Sequence, residues 1–509
     1  MKEAKKITLN TIAQYAKTLI SIVLGFYSTR LILMGLGESD YGIYSLLAGI
    51  VGLLSFLVNA LALTTQRYLS YNQGAGRTEF MKELFFNSLF VHIALCVVCF
   101  VILEIIGLLL IEYWLSIPPG RMDAARIVLH CAIVMLVLSI LNSPFRALLI
   151  SHENMVFTSL VDVIDAILKV VIAVIVIDSS LDRLILFSTL MCGVNFFALL
   201  ACSIYDKVKY SEFAFIGLKN IRWSVIKPMA TFAGWSIYST FCIIGRNQGV
   251  AIILNHIAGT IANAAYGIAV QVSSAVNYLS SSLLNAISPP LIKAEGGGKR
   301  DLMLRLAFTA SKFSFALISI VIVPVYFYII PILKIWLIDV PEYTNYFVVI
   351  ILTSSLFDSL SSGLSLSNKA IGNLKCYSLT VDSLKFLVVP AFYICYSIGL
   401  SITIAFWSYA ILEGVSAIVR VFVMYPDTGC KPSRWLKEVV MPIIRPFIML
   451  VTAYYLMSLI TFNIYILIPS GIVITALFII AFARYSTSEF EKVQIRKLIA
   501  RIKIPILKV

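Results

Sequence analysis

The chain has 509 residues, of which 60% are hydrophobic and only 13% charged, and its net charge is +14, with a mean hydropathy of +0.94. Soluble domains carry about 25% charged residues, so the composition excludes a globular enzyme and predicts an all-α polytopic membrane protein. The positive charge does not point to nucleic acid, because the basic residues lie in alternate loops.

The opening MKEAKKITLN is basic and leads into a long apolar stretch without a small-residue cleavage site, which predicts a retained first helix. Crossing the hydrocarbon takes about 20 residues. Fourteen such stretches follow in order: 10–33, 43–65, 84–110, 125–147, 157–177, 184–204, 229–254, 262–286, 312–330, 346–366, 378–397, 402–423, 444–461 and 465–483. They group into an N-lobe (1–204), a cytoplasmic linker (205–228), a C-lobe (229–423), two extra spans (444–483) and a basic tail (484–509). With the N-terminus inside, 30 Lys and Arg fall in cytoplasmic segments, and the opposite side has three: Arg121, Arg183 and Lys334. That asymmetry predicts that both termini are cytoplasmic. The tail EFEKVQIRKLIARIKIPILKV mixes basic and apolar residues at near-helical spacing, as a segment lying on the anionic inner leaflet does.

One constant shift along the chain brings the two lobes into register. GRTEFMKEL at 76–84 meets GKRDLMLRL at 298–306, and at the same offset Gly37 meets Gly259 and WLSIPP from Trp114 meets WLIDVP from Trp336. Six spans separate the copies, an even number, so the repeats are parallel. Parallel repeats build two six-helix bundles around a central cavity that opens alternately to each side. Spans 13 and 14 stand outside the repeat.

Charges within spans are costly and mark function or pairing. The basic ones are Lys17, Arg30, Arg126, Lys169, Arg246, Lys385 and Arg420, and the acids are Glu104, Asp162, Asp165, Asp358, Asp382 and Glu413. Arg126 sits one residue from a span end, where it can snorkel. Arg30 lies about 10 Å of helix from the outer end, so snorkelling and a cavity role both stay open. Lys17 and the counterpart of Arg246 are seven residues apart on equivalent helices, hence on one face. Neither span supplies a matching acid, which predicts a positive lumen. Asp165 with Lys169, and Asp382 with Lys385, are one turn apart, as ion pairs that ease insertion would be. The other reading leaves Asp162 or Asp165 less neutralised, to hold a coupling Na⁺ or H⁺. Glu413 and Arg420, seven apart, fit the structural explanation. His92, His130 and Glu104 read either as proton relays or as packed, hydrogen-bonded side chains.

Nine scattered cysteines argue against a disulfide framework, and the Cys96/Cys99 pair lies in a lipid-embedded stretch without further ligands. The loop EGGGKR at 295–300 lacks the strand, spacing and Ser/Thr of a phosphate-binding loop. No nucleophile, metal or paired-carboxylate constellation appears, which predicts a transporter without cofactor, driven by ion or substrate gradients.

The N-terminal NTIAQYAKTLISIVLGFYSTRLILMGLGESDYGIYSLLAGIVGLLSFLVNALALTTQRYLS, with its weaker echo in the second lobe, resembles the multidrug, oligosaccharidyl-lipid and polysaccharide exporter superfamily. Within it, the chain resembles the O-antigen and polysaccharide-unit flippases. RLILMGLGESDYGIYSL carries the basic residue, apolar run, Leu-Gly and acidic Tyr-Gly element of that family. The resemblance implies a bacterial plasma-membrane flippase that moves an undecaprenyl-pyrophosphate-linked oligosaccharide from the inner to the outer leaflet. It also implies a cationic cavity, formed here by Lys17, Arg30 and Arg246, for the pyrophosphate. A surface-polysaccharide polymerase is then a candidate partner. A lipid II flippase and a drug/cation antiporter of the same superfamily are the alternatives, and Asp162 and Asp165 keep the latter open.

Overall fold

Inside hydrocarbon every backbone N–H and C=O must find its partner within the chain, and apolar runs of this length do so as helices. The structure, a computed structural model, describes residues 2–52, 54–113, 115, 117–212, 221–336, 340–459 and 464–493, and no strand occurs among them. Trp114 of the repeat and the tail from 494 onward lie outside the described residues.

The helices are α1 (2–37), α2 (38–52, resumed at Ser55–Gly74), α3 (Thr78–Tyr113), α4 (Met122–Ser151), α5 (Met155–Ile177), α6 (Arg183–Lys209) and α7 (223–259). They continue as α8 (260–296), α9 (Arg300–Trp336), α10 (Thr344–Ile371), α11 (Leu374–Ser397), α12 (Ile402–Thr428), α13 (Pro432–Ser458) and α14 (Ile464–Tyr485). Among the described residues ten helices are long and apolar enough to cross a membrane: α1, α3, α4, α6, α7 and α9 to α13. Each of the fourteen predicted spans corresponds to one helix.

The repeat is written in the backbone. Gly37 (φ 76°) and Gly259 (φ 73°), which the repeat aligns, each break an otherwise continuous helix at a left-handed residue that only glycine adopts freely. Gly76 and Gly298 end the next helix of each copy, again with positive φ. Their hydrogen bonds match: Gly76 N–H donates to Gln73 O and Arg77 N–H to Asn72 O, while Gly298 N–H donates to Glu295 O and Lys299 N–H to Ala294 O.

The chain divides into two compact units, one of residues 6–237 and one that runs from 238 onward. In the first, α4 is the axis, packed by α2, α3 and α6. In the second, the repeat-related α10 is packed by α9 and α12. The first unit extends past the predicted linker because the opening turns of α7 pack into it. Val225 and Met229 join the core of Leu69, Met81, Phe85 and Leu148, and the Arg67 guanidinium lies 5.5 Å from the Phe232 ring.

The two helices outside the repeat lean on α9, where Phe478 and Phe482 of α14 and Leu450 and Tyr454 of α13 meet Ala316, Val323 and Tyr328. The chain then turns back onto the base of α9. Lys312 Nζ lies 2.6 Å from Glu491 Oε2, and both side chains are only 4% exposed.

Candidate functional site

Each unit contains one ionic cluster among its membrane helices. In the first, α1 runs beside α5: Asn10 Nδ2 donates to Glu153 O at 2.9 Å, and Gly35 fits closely against Val176 and Ile177. This pairing sets Lys17 Nζ 2.7 Å from Asp162 Oδ2. Arg146 of α4 grips the same carboxylate with two prongs, Nη1 to Oδ1 at 2.7 Å and Nη2 to Oδ2 at 3.0 Å. One turn along α5, Asp165 and Lys169 pair at 2.6 Å, as the one-turn spacing predicts. Arg146, Asp162, Asp165 and Lys169 line a cavity of about 420 Å³ between α2, α4, α5 and α6, with Asn59, Gln66 and Asn195 among its other polar walls. Asn142 Oδ1 and Ser143 Oγ, also in its lining, are buried without a hydrogen-bond partner among the described residues.

In the second unit five charges form a continuous chain across four helices. Arg246 Nη1 of α7 donates to Glu413 Oε2 of α12 at 2.7 Å, and Lys385 Nζ of α11 lies 2.5 Å from Glu413 Oε1. Lys385 also donates to Asp358 Oδ1 of α10 at 2.8 Å, which accepts from Arg420 Nη2 at 2.8 Å. Arg420 is 2% exposed and also donates to Ser361 Oγ at 3.0 Å. The Arg246 guanidinium lies 4.6 Å from the Tyr409 ring centroid, and Tyr409 OH donates to Asn247 Oδ1 at 3.2 Å.

The expected unmatched cations are corrected by this geometry. Lys17 and Arg246 do meet acids, but on other helices, because burying a guanidinium or ammonium without a counter-ion is far costlier than recruiting one from a neighbour. Asp162 is not a less neutralised acid, since two cations hold it. Lys385 does not pair with Asp382. It reaches Asp358 and Glu413 on the neighbouring helices, and a π-helical turn at Ser378–Asp382 comes just before it. Asp382 Oδ2 instead accepts from Ser239 Oγ of α7 at 2.5 Å. Glu413 and Arg420 belong to one network but are linked through Lys385 and Asp358. Arg30 is exposed on α1, and none of the described residues forms a hydrogen bond or ion pair with it.

Sequence reasoning misses Arg146, because it lies one residue from the end of the span 125–147 and counts with the basic residues of the cytoplasmic loop that follows. Hairpin geometry holds the signal. Arg146 and Asp162 lie seven and nine residues either side of Glu153, where α4 turns into α5, and Asp358 and Lys385 lie similarly either side of Gly372. On antiparallel helices such residues are level with each other.

No family model matches the sequence, and no curated protein matches it either. Solved structures do match. A MATE in the straight conformation has a TM-score of 0.72 at 14% identity, covering 84% of this chain and 96% of that one. An outward-facing multidrug resistance MATE family transporter of the MOP superfamily has 0.69 at 15%, covering 84% and 98%. A MOP superfamily transporter from Pyrococcus furiosus, described as having a binding pocket of reverse polarity and a different function, has 0.70 at 13%, covering 84% and 98%. The chain therefore has the fold of the MOP superfamily transporters, an all-helical membrane fold of two lobes.

Proposed function

We propose that the chain is a membrane exporter that works by alternating access and carries an anionic, lipid-linked headgroup, of the undecaprenyl-pyrophosphate oligosaccharide kind, from the inner to the outer leaflet. One observation carries the reading: in both clusters cations exceed carboxylates, three to two. Lys17, Arg146 and Lys169 face Asp162 and Asp165, and Arg246, Lys385 and Arg420 face Asp358 and Glu413. Every one of these carboxylates is already in an ion pair, so a cationic substrate has to displace a lysine or arginine to reach it. An arriving pyrophosphate meets guanidinium groups whose planar fork matches its oxygens.

On this reading Lys17, Arg246 and the exposed Arg30 receive the pyrophosphate, and Arg146 joins them. Outward movement of a negative headgroup is favoured by roughly 2.3 kcal/mol per charge per 100 mV of inside-negative potential. A lipid II headgroup has the same chemistry. The neighbour described as having reverse pocket polarity supports the idea that this fold serves substrates of either sign. The setting is a bacterial inner membrane with both termini cytoplasmic, and a polysaccharide polymerase is the partner that would consume the product.

A second reading, antiport of a cationic drug against Na⁺ or H⁺, is favoured by the multidrug resistance neighbour. It is also favoured by Asp382, which a serine hydroxyl holds and which forms no ion pair among the described residues. Two variants at wild-type expression separate the readings. Arg246→Gln is expected to lower surface polysaccharide at least about tenfold, the loss of one charge-assisted contact, with dye efflux unchanged. Normal polysaccharide in Arg246→Gln, with dye efflux lost in Asp382→Asn, overturns the flippase in favour of the antiporter.

A further inference from the structure

Away from the two clusters, a group of titratable side chains gathers where α6 ends and the chain heads for α7. His152 follows the last turn of α4, and its ring stacks on Tyr210 with centroids 4.1 Å apart. Its Nε2 lies 3.0 Å from Glu212 Oε1. Its Nδ1 lies 3.0 Å from Gln73 Nε2, at the end of α2. A neutral ring suits this arrangement, with Nε2–H donating to the carboxylate and Nδ1 accepting from the amide.

Gln73 Oε1 is buried without a hydrogen-bond partner among the described residues. If the amide turns over, that oxygen faces Nδ1 and accepts from it, which requires a second proton on the ring. The same three side chains then satisfy the imidazolium, with Glu212 as counter-ion and Gln73 Oε1 as second acceptor. The atom orphaned in one protonation state is the acceptor that the other state needs.

The surrounding charges are compatible with such a change. The hydrogen bond from His152 holds the Glu212 carboxyl below its ordinary range against the opposing effect of burial, and Lys82 contributes in the same direction. Glu212 is therefore held as a carboxylate facing the ring. Asp206 of α6 is buried and within electrostatic reach of Glu212. Asn154 Nδ2 donates to Tyr205 OH at 2.8 Å and to Tyr210 OH at 3.2 Å, and Lys209 Nζ donates to Tyr205 OH at 2.7 Å. Glu153, the next residue in the chain, accepts through its backbone oxygen from Asn10.

We propose that His152 is a proton-binding switch that latches residues 210–212, the start of the connection into α7, onto the ends of α2 and α4 when the adjoining solution turns acidic. Protonation converts a neutral-donor contact into an ion pair and a charge-assisted hydrogen bond, roughly twice as strong. The latch tightens as the ring gains its second proton, and releases again only where Glu212 itself takes a proton.

The test uses the full-length protein in lipid nanodiscs, with hydrogen exchange of the 205–212 peptide corrected for the intrinsic rate. In the wild type, protection is expected to rise about tenfold between pH 7.5 and 5.5, equivalent to about 1.4 kcal/mol. His152→Gln, which hydrogen-bonds but cannot charge, is expected to remove the rise. Gln73→Met, which keeps the volume and removes the acceptor, is expected to reduce it, and Gln73→Glu to move its midpoint up by about one pH unit. The chain has four histidines, so ring-nitrogen spectra of labelled protein report His152 directly, assigned by its loss in His152→Gln. A wild type with pH-independent protection, or a His152→Gln or Gln73→Met variant that keeps the full response, overturns the proposal.

Discussion

Single side chains here are fixed by the cost of an unpaired charge, and Asp182 shows it at the start of α6. Its Oδ1 accepts from the amides of Leu184 and Ile185 at 3.1 and 3.2 Å, capping α6. Its Oδ2 pairs with Arg121 Nη1 at 2.6 Å, and Arg121 also bridges to Asp40. Burial opposes ionisation of Asp182, but Arg121 and the two amides outweigh it and hold the carboxyl below its usual range. A depressed native pKa stabilises above the unfolded value, about 3.9, and that stability is lost as pH falls through the native value. Asp182→Asn keeps the cap and removes the charge. Its Tm is expected to lie below the wild type's at pH 7, with the gap closing toward pH 3; a gap that persists at pH 3 rules out the charge as its cause. At this scale the sequence shows which charges lie within spans but not their partners. Lys17 and Asp162 meet because α1 packs on α5, and Arg246 and Glu413 because α7 packs near α12. No spacing within one helix encodes either meeting. The pairs across a tight hairpin, Arg146 with Asp162 and Asp358 with Lys385, are legible by counting from the turn.

Between elements, the junction of α9 with the chain that follows α14 carries a buried ion pair with a full set of donors. Glu491 Oε2 accepts from Lys312 Nζ at 2.6 Å and from Ser488 N–H at 2.6 Å, and Oε1 accepts from Thr309 Oγ1 at 2.7 Å. Lys312 Nζ also donates to Ser486 O at 3.0 Å. Removing one partner strands a buried charge at a cost of about 3–5 kcal/mol, whereas replacing both by apolar groups is often near neutral. Lys312→Met is therefore expected to lower Tm strongly, and Lys312→Met with Glu491→Met to recover most of the loss. If the double variant is no more stable than the single one, the pair does not hold the segment to α9. The predicted span 312–330 begins at Lys312, which counts with the basic cytoplasmic residues because hydropathy treats a terminal lysine as solvated. Its burial depends on Ser486 and Glu491, which are remote from it in the chain. The π-helical turn of α11 is hidden for a related reason, since an extra residue in one turn leaves the apolar pattern almost unchanged.

For the whole molecule, charge asymmetry and the repeat are readable in advance because both are linear properties of the chain. Fourteen helices and the constant offset between the two copies need no tertiary information, whereas the limits of the compact units do, since the opening turns of α7 pack into the first unit. Orientation has a direct check. Of nine cysteines only Cys376 is exposed, and it follows the turn at 369–375 that the positive-inside rule places in the cytoplasm. A membrane-impermeant maleimide is expected to leave Cys376 unmodified in intact cells and to label it in inverted vesicles. Labelling in intact cells reverses the predicted topology.

The glycine at the α1–α2 break is also an angular joint without slack. No loop separates the two helices, so the rotation of everything after Gly37 is set by a single pair of dihedral angles. One residue inserted beside it would turn α2 by about 100° about its axis and swing Ile43, Leu47 and Val51 out of the core they share with α3, α4 and α6. Ordinary surface loops absorb insertions at little cost. Here, and at Gly259, the lengths of the two helices are locked to each other.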